Sequence, residues 1–317
     1  MLRILRRYAR ELSVGNVVLT ESPAEAEAIL FVETVDWRDP LFTRVLAHPL
    51  MKRYRHKVVL YNEAEDSRAR LPSIAMNAAN VPWQIAMGSL PIHEDQAPIA
   101  PMSDAPGELM SFVGSRNNQL RHQLLDTYAQ TQPAVIDTDA YDAWHTTRSE
   151  RSEQRRTFEQ ALSAGLFALC PRGGGTTSLR LYEAMQAGRC PVILSDEWVE
   201  DHGVDWSFAV RVAEVDIDRL EPILSAIPRS EALQRGAEAR RQWEVAYSPA
   251  RYLDTLADAA RALLDRQVTV PARNPLQLLG DARYRAFLAA RQAKAHVGLL
   301  GSAVSSRLIA ADGDRSS

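Results

Sequence analysis

The sequence has 317 residues, of which 46% are hydrophobic and 24% charged, with a formal net charge of −3 and two cysteines. Two cysteines exclude a disulfide scaffold, and the slight acidic balance argues against a general nucleic-acid-binding protein. No apolar run reaches the roughly 18 residues of a transmembrane helix, and a cytoplasmic, reducing compartment is the expectation.

The N-terminal segment MLRILRRYAREL predicts an amphipathic helix. Its apolar and basic residues recur at helical spacing on opposite sides: Leu2, Leu5, Tyr8 and Leu12 against Arg3, Arg6, Arg7 and Arg10. Such a helix either lies on a membrane surface as a peripheral contact or packs on its own domain. The second interpretation is favoured.

The first third of the sequence alternates short apolar runs with helical spacing. Residues 16–20, 28–33 and 57–62 predict strands, and 40–54 predicts a helix between the last two. This is the pattern of a parallel β-α-β unit. We therefore expect an α/β domain over residues 1–90, followed by a proline-rich and acidic linker over 91–108.

A second series of strands and helices follows the linker. The predicted strands are 109–114, 134–138, 166–170 and 191–195, and the predicted helices are 118–130, 155–165, 178–188, 230–246 and 249–266. These elements predict a second α/β domain over 109–266, with a helical or disordered tail over 267–317. Two such units predict a cleft, in which ligands lie beyond the carboxyl ends of the strands.

The stretch LFALCPRGGGTTSLRLYEAMQAGRCPVILSDEW, residues 166–198, contains a strand, a glycine loop, a helix and a second strand. The loop glycines allow a ligand to approach the backbone closely, and Ser178 or a neighbouring threonine is a helix N-cap. A helix N-terminus attracts phosphate, and the planar fork of Arg180 suits a diphosphate. Glu183 shares the helix face of Arg180 and suits ribose hydroxyls.

The same residues permit a purely structural interpretation. Arg180 and Glu183 are also spaced as an i, i+3 ion pair on a solvated helix. Neither a G-x-G-x-x-G nor a Walker fingerprint occurs in the sequence. From the spacing alone, the two interpretations stay open.

The stretch 166–198 also resembles the core motif of the exostosin family, the inverting glycosyltransferases of family 47. The matching positions include Pro171, Arg172, Gly173, Ser178, Arg180, Glu183, Ala184, Ala187, Pro191, Val192, Leu194 and Ser195. The segments SFVGSRNNQLRHQLL and QWEVAYSPARYLDTLADAARALL extend the resemblance to roughly residues 109–264.

The resemblance implies a GT-B fold, with two Rossmann-like domains facing a central cleft and the nucleotide-sugar donor on the C-terminal domain. It implies that Arg180 binds the donor diphosphate and Glu183 the ribose. Arg172 and Gly173 would shape the phosphate loop, and Gly114 with Arg116 would approach from the first strand. No metal and no cofactor are expected. Gly174 and Gly175 stand where animal members often have basic residues, which leaves the nucleotide and sugar open.

An inverting transferase needs a general base that deprotonates the acceptor hydroxyl. Two groups of carboxylates follow predicted strands of the first domain and are candidates: Glu33, Asp36 and Asp39, then Glu63, Glu65 and Asp66. Most loop carboxylates are solvated surface charges, so each group is one alternative among others.

The sequence therefore predicts an enzyme that transfers sugar from a nucleotide diphosphate, with UDP favoured, to a hydroxyl of a glycan or a lipid-linked acceptor. The competing hypothesis is a non-catalytic, nucleotide-binding subunit that is the partner of another glycosyltransferase. A nicotinamide-dependent oxidoreductase is disfavoured because the dinucleotide fingerprint is missing.

Overall fold

The protein is an α/β structure with two parallel sheets inside one compact unit, Met1–Thr269. The computed structural model describes residues 2–12, 15, 17–33, 42–62, 71–88, 97–102, 105–138 and 148–267. The predicted class, α/β with parallel sheets, is confirmed. The predicted tail over 267–317 lies, apart from Gln267, outside the described residues.

The first sheet contains four parallel strands in the spatial order β1-β2-β3-β4. They are β1 (Ile29–Glu33), β2 (Val58–Asn62), β3 (Ser73–Ala75) and β4 (Gln84–Ala86). In the β1–β2 register Glu33 lies opposite Asn62, so the carboxyl ends of these strands are level. The sequence patterns missed β3 and β4, because a three-residue strand is too short to show a period.

Three short α-helices lie in the described residues of this half: α1 (Leu2–Arg7), α2 (Thr43–Ala47) and α3 (Pro49–Tyr54). The predicted helix over 40–54 is thus two helices, which are separated at His48. Because a proline disfavours the helical conformation of the residue before it, His48 is extended, with φ −64° and ψ 139°. Its Nδ1 accepts a hydrogen bond from the Leu50 amide at 3.2 Å and caps α3.

The N-terminal helix packs on its own protein. Ile4, Leu5 and Tyr8 are buried, and the Tyr8 ring contacts the Tyr252 ring edge-on at 6.2 Å. Leu5 and Tyr8 of the predicted apolar side therefore pack in the core, as the favoured interpretation predicts, whereas Leu2 is 48% exposed. No helix in the described part of the chain has the length and apolarity to span a bilayer.

The strand predicted over 16–20 is wrong for the residues that the structure describes, since Val17–Thr20 form no strand. Val18 is 83% exposed and Leu19 58% exposed, so these apolar side chains bury little surface. A valine-rich run becomes a strand only where a neighbouring strand and a core receive it.

The second sheet has five parallel strands in the order β6-β5-β7-β8-β9. They are β5 (Glu108–Gly114), β6 (Val135–Asp137), β7 (Gly165–Pro171), β8 (Cys190–Leu194) and β9 (Val210–Arg211). Six helices accompany them: α4 (Gln119–Tyr128), α5 (Arg148–Ala164), α6 (Leu179–Ala187), α7 (Leu220–Ser225), α8 (Arg229–Ala246) and α9 (Tyr252–Asp265).

The strand order of this sheet reverses at β5. The next strand, β6, lies on one side of β5, and β7 lies on the other. The connections that leave β5 and β7 therefore diverge and open a crevice at the carboxyl end of the sheet, where doubly wound proteins bind ligands. The glycine loop that follows β7 lies at this switch point.

Part of the predicted linker, 91–108, packs against the second half. Ile99 is buried, and its amide donates to Gln186 Oε1 at 2.8 Å. The Met102 amide donates to the Ala187 carbonyl at 3.0 Å, and Glu108 already belongs to β5. Ile99 and Met102 of this segment are thus bound to α6.

Candidate functional site

The glycine loop, defined here as residues 171–178, is bound through its carbonyl groups by α4. Asn118 Nδ2 donates to the carbonyls of Arg172 at 2.9 Å and Gly173 at 2.8 Å. Arg121 donates to the carbonyls of Pro171 and Arg172, both at 3.1 Å. Asn118 is also the N-cap of α4, with Oδ1 accepting from the Arg121 amide. Three consecutive carbonyls of the loop therefore face α4.

The amide groups of the loop are largely open. The Gly173 amide donates to the Thr177 carbonyl at 3.2 Å, and the Thr177 amide donates to Asn77 Oδ1 at 2.9 Å. Within the described residues, the amides of Gly174, Gly175, Thr176 and Ser178 donate no hydrogen bond. Carbonyls bound on one side and amides open at a helix N-terminus make an anion-binding arrangement.

Two hydroxyls of the loop also lack a partner. Thr176 Oγ1 and Ser178 Oγ are buried and form no hydrogen bond with any described group. Ser178 is the N-cap of α6, as predicted, yet its side chain makes no capping bond. A buried hydroxyl without a partner destabilises the fold unless a ligand or water supplies one.

Arg172 is committed to a carboxylate. Its Nε and Nη2 donate to the two oxygens of Glu214, at 2.7 and 3.1 Å. This pairing lowers the pKa of Glu214, because the donated hydrogen bonds favour the charged carboxylate. Glu214 Oε1 also accepts from the Asp196 amide at 3.2 Å. Arg172 thus fixes the loop to its surroundings, and its role in shaping a phosphate loop stays a prediction.

Arg180 is anchored at the carboxyl end of β5. Its Nε donates to the Val113 carbonyl at 2.9 Å, and its guanidinium lies 4.3 Å from the Phe158 ring centroid. Nη1 forms the i, i+3 ion pair with Glu183 Oε2. Among the described residues, no group accepts from Nη2. The ion pair of the structural interpretation is therefore present. The Nη2 atom of Arg180 remains available to a ligand.

Gly114 is the last residue of β5, and Arg116 follows it by two positions. A Cβ on Gly114 would lie 2.6 Å from Phe112 Cζ and 3.3 Å from Arg121 Nη1, so the glycine makes room for the arginine that binds the loop. Arg116 donates from Nε to Asp137 at 2.6 Å and pairs through Nη1 with Asp126. These two carboxylates raise the pKa of Arg116 and balance its charge.

Of the candidate general bases, the structure describes Glu33. Glu33 is the last residue of β1, at the carboxyl end of the sheet. Asp36 and Glu63, together with Asp39, Glu65 and Asp66, lie outside the described residues. The assignment of the base stays a prediction.

The carboxyl ends of the two sheets meet at two points. Asn77, two residues after β3, accepts from the amide of Thr177 in the glycine loop. Ala86, the last residue of β4, forms a parallel bridge with Asp201, in the connection after β8. The glycine loop therefore contacts the carboxyl end of the first sheet directly.

A buried carboxyl group, that of Asp201, lies at this junction. Asp201 Oδ2 accepts from the hydroxyls of Tyr182 at 2.9 Å and Tyr247 at 2.6 Å. Burial raises the pKa of Asp201 to about 7, although the two tyrosine hydrogen bonds act in the opposite direction. Tyr252, nearby, donates to the Gly88 carbonyl at 2.6 Å.

The sequence patterns named some of these residues and missed others. The missed contributors are Asn77, Asn118, Arg121, Asp201 and Glu214. An asparagine between a strand and a helical pattern is an N-cap signal that identifies Asn118. Asn77, Asp201 and Glu214 had no local signal, since each acts on a segment distant in the chain.

The described residues suggest neither a metal centre nor a reactive thiol. No group of three or more His, Cys, Asp or Glu side chains among them is placed to hold a metal ion. Cys170 and Cys190 are buried free thiols, and burial raises the pKa of Cys190 to about 12. Both thiols are therefore protonated and enclosed in the sheet.

The sequence around the glycine loop is similar to that of known proteins. Residues 84–227 match the family model of the Exostosin GT47 domain. A probable glucuronosyltransferase of Oryza sativa subsp. japonica is 33% identical over 107 residues, which are 32% of this chain and 25% of the relative. The Exostosin-1 homolog of Caenorhabditis elegans is 29% identical over 111 residues, covering 34% of this chain and 26% of the relative.

A probable beta-1,4-xylosyltransferase of Arabidopsis thaliana, IRX10, is 35% identical over 82 residues, covering 25% of this chain and 20% of the relative. The chain thus spans about a quarter of the length of the curated relatives that it matches. Among solved structures, the crystal structure of TarM aligns with a TM-score of 0.35 and 9% identity, over 66% of this chain and 55% of that chain.

Proposed function

Because residues 84–227 match the family model of the Exostosin GT47 domain, we propose that this chain is a glycosyltransferase of that family with a UDP-sugar donor. The sugar passes, with inversion, to a hydroxyl of a glycan or a lipid-linked acceptor. One observation carries the donor assignment: four amides of the glycine loop are open at the N-terminus of α6 and their neighbouring carbonyls are bound elsewhere. That arrangement suits a diphosphate.

The donor diphosphate binds to the open amides and to Arg180. The partial positive charge at the N-terminus of α6 attracts the phosphate oxygens. Arg180 adds a full charge, and its position is fixed by the Val113 carbonyl and the Phe158 ring. A guanidinium held in advance loses little entropy when it binds the ligand. The unpartnered hydroxyls of Thr176 and Ser178 supply further donors.

The ribose of the donor binds Glu183. Only Oε2 of this carboxylate is paired with Arg180, and Oε1 accepts from no described group. The pair places Arg180, which binds phosphate, next to Glu183, which binds ribose. The nucleotide therefore displaces water from both side chains without breaking the ion pair. The side chain of Glu183 is 17% exposed, which makes its hydrogen bonds to ribose stronger than at an open surface.

The reaction is a single displacement. The acceptor oxygen forms a bond to the anomeric carbon as the bond from that carbon to the diphosphate breaks. The acceptor proton goes to a carboxylate of the first third of the sequence, with Glu33, Asp36 and Glu63 as candidates. The electron pair leaves with UDP, whose growing charge the loop amides and Arg180 stabilise.

The test is calorimetric titration of UDP into the protein and into Arg180→Ala. Removal of the guanidinium should weaken binding by about 10- to 100-fold, the usual scale for a hydrogen bond to a charged group. Arg180→Lys should recover only part of the loss, because its ammonium lacks the planar fork.

Arg241→Ala is the matched control, because Arg241 also forms an i, i+3 ion pair, with Glu238 on α8. Its affinity for UDP should equal that of the unsubstituted protein. Unchanged affinity in a folded Arg180→Ala variant would remove Arg180 from the donor site. A protein that binds UDP but transfers sugar to no acceptor in a broad panel would instead be a nucleotide-binding subunit.

A further inference from the structure

One residue of the first half completes the glycine loop of the second. The Asn77 side chain is buried, with 1% of the residue exposed, and its Oδ1 accepts from the Thr177 amide at 2.9 Å. The two residues are 100 positions apart in the chain. Four other side chains that bind the loop belong to the second half: Asn118, Arg121, Glu214 and Ser195, whose Oγ donates to the Thr176 carbonyl at 2.7 Å.

The bond acts on the residue that closes the loop. Thr177 donates its amide to Asn77 and accepts at its carbonyl from the Gly173 amide. Its neighbours Thr176 and Ser178 carry two of the open amides and the two unpartnered hydroxyls. Because adjoining peptide planes share a Cα, a rotation at Thr177 changes the direction of both neighbouring groups.

Asn77 is itself held in place. It follows β3, whose three residues are all buried and pair with β2 and β4. The bridge between Ala86 and Asp201 joins the same two halves a second time. The acceptor oxygen of Asn77 is therefore presented from a packed sheet edge rather than from a solvated turn.

We propose that Asn77 is a positioning residue for the donor, through which the first half of the molecule sets the direction of the loop amides. This inference rests on the proposed donor site in the glycine loop. Asn77 does not touch the nucleotide in this account. It acts through the Thr177 peptide, and donor affinity consequently depends on contact between the two halves.

The experiment compares Asn77→Ala with Gln84→Ala. Gln84 is the matched control, since it is also buried in the first half and its Oε1 accepts from a backbone amide, that of Ala79, at 2.7 Å. Two quantities are measured for each protein: hydrogen exchange of the peptide that covers residues 171–178 without nucleotide, and the Kd of UDP by calorimetry.

Asn77→Ala should accelerate exchange in the loop and weaken UDP binding, each by about 10- to 100-fold, because it removes the partner of one buried amide. Gln84→Ala should leave both quantities unchanged apart from any general loss of stability. Asn77→Asp keeps an acceptor oxygen, so the loop amides should stay protected from hydrogen exchange. This variant is measured in place of Asn77→Ala if the alanine variant does not fold.

Loop exchange in Asn77→Ala equal to that of the unsubstituted protein would overturn the proposal. Faster exchange with unchanged UDP affinity would overturn it too, because Asn77 would then be structural only, while the donor site would stand. If the unsubstituted protein does not bind UDP, the proposed function is rejected. The exchange measurement then still shows whether the Asn77 bond protects the loop amides.

Discussion

In the ion pair between Arg180 and Glu183, the side chain of Arg180 has more contacts that fix its position. Arg180 is fixed by a backbone carbonyl and an aromatic ring, whereas the contact of Glu183 in the described residues is Arg180 itself. An exposed i, i+3 pair stabilises a helix by only a few tenths of a kcal/mol. The pair at this site is half-buried and lies beside open amides, so its main effect is to hold both side chains ready for a ligand.

Glu183 should make the protein distinguish UDP from 2′-deoxy-UDP. Loss of the 2′-hydroxyl leaves part of a half-buried carboxylate unpaired, so the deoxy nucleotide should bind about 10-fold more weakly or worse. Glu183→Gln should reduce this ratio, because a neutral amide loses less when its partner is absent. Competition calorimetry with the two nucleotides measures it.

Glu238→Gln is the control for this comparison, because Glu238 pairs with Arg241 at the same i, i+3 spacing on another helix. That variant should keep the full preference for the ribose nucleotide. Equal affinities of the unsubstituted protein for UDP and 2′-deoxy-UDP would assign Glu183 to helix stability alone.

The residues that the sequence could name are those whose roles are local. Arg180, Glu183 and Gly173 stand within eleven positions of one another, and the loop, helix and spacing that define them are visible in one short stretch. Asn77 and Glu214 bind the same loop from 100 and 42 positions away. No periodicity links such distant residues, because only the packing of the two sheets brings them together.

At the scale of elements, the long buried strands were predictable and the short ones were not. All seven residues of β7 and all five of β8 are buried, so their apolar runs were clear in the sequence. The three-residue strands β3 and β4 form because each pairs with a neighbouring parallel strand. Residues 17–20 are also apolar in part, but no described strand pairs with them, and they form no strand.

The junction of α6, α8 and the connection after β8 should be pH-sensitive. Tyr182, Tyr247 and Asp201 meet there, and burial raises the pKa of the carboxyl group from 3.8 in the unfolded chain to about 7. At pH values between 3.8 and about 7, the carboxyl group is therefore protonated in the folded state and ionised in the unfolded state. The stability contribution of Asp201 is therefore complete below about pH 4 and falls as the pH rises to about 7.

Asp201→Asn should remove this dependence, since an amide oxygen accepts from the tyrosines without carrying a charge. The variant should match the unsubstituted protein near pH 4 and exceed its unfolding free energy by about 1–4 kcal/mol at pH 8. Thermal unfolding at both pH values measures the difference, with exposed Asp265→Asn as the control. A variant that is less stable than the unsubstituted protein at pH 8 would contradict the assignment.

At the scale of the molecule, the two sheets have separate roles in the proposed reaction. The second sheet holds the glycine loop at its switch point, and the first presents the carboxyl ends of β1 to β4. The Asn77–Thr177 bond joins those carboxyl ends to the loop. An acceptor bound at the first sheet would therefore lie near a donor bound at the second, which is the geometry that a transfer between them requires.

This division predicts that the general base can be removed without loss of donor binding. Glu33→Gln, Asp36→Asn and Glu63→Gln, tested singly with Asp39→Asn, Glu65→Gln and Asp66→Asn, should include one variant whose turnover falls by about 10²- to 10⁴-fold, the usual contribution of general-base catalysis. Its Kd for UDP should stay the same, because the proposed nucleotide site is the glycine loop.

The measurement is sugar transfer under saturating donor for each of the six variants, paired with UDP titration. A fall in kcat with unchanged UDP affinity marks a group that acts in the transition state. A variant that loses both has lost the fold or the Asn77 contact rather than the base. If all six keep their turnover, the proton acceptor does not belong to these two groups of carboxylates, and Asp201 is a poor substitute because it is 3% exposed and already accepts from two tyrosines.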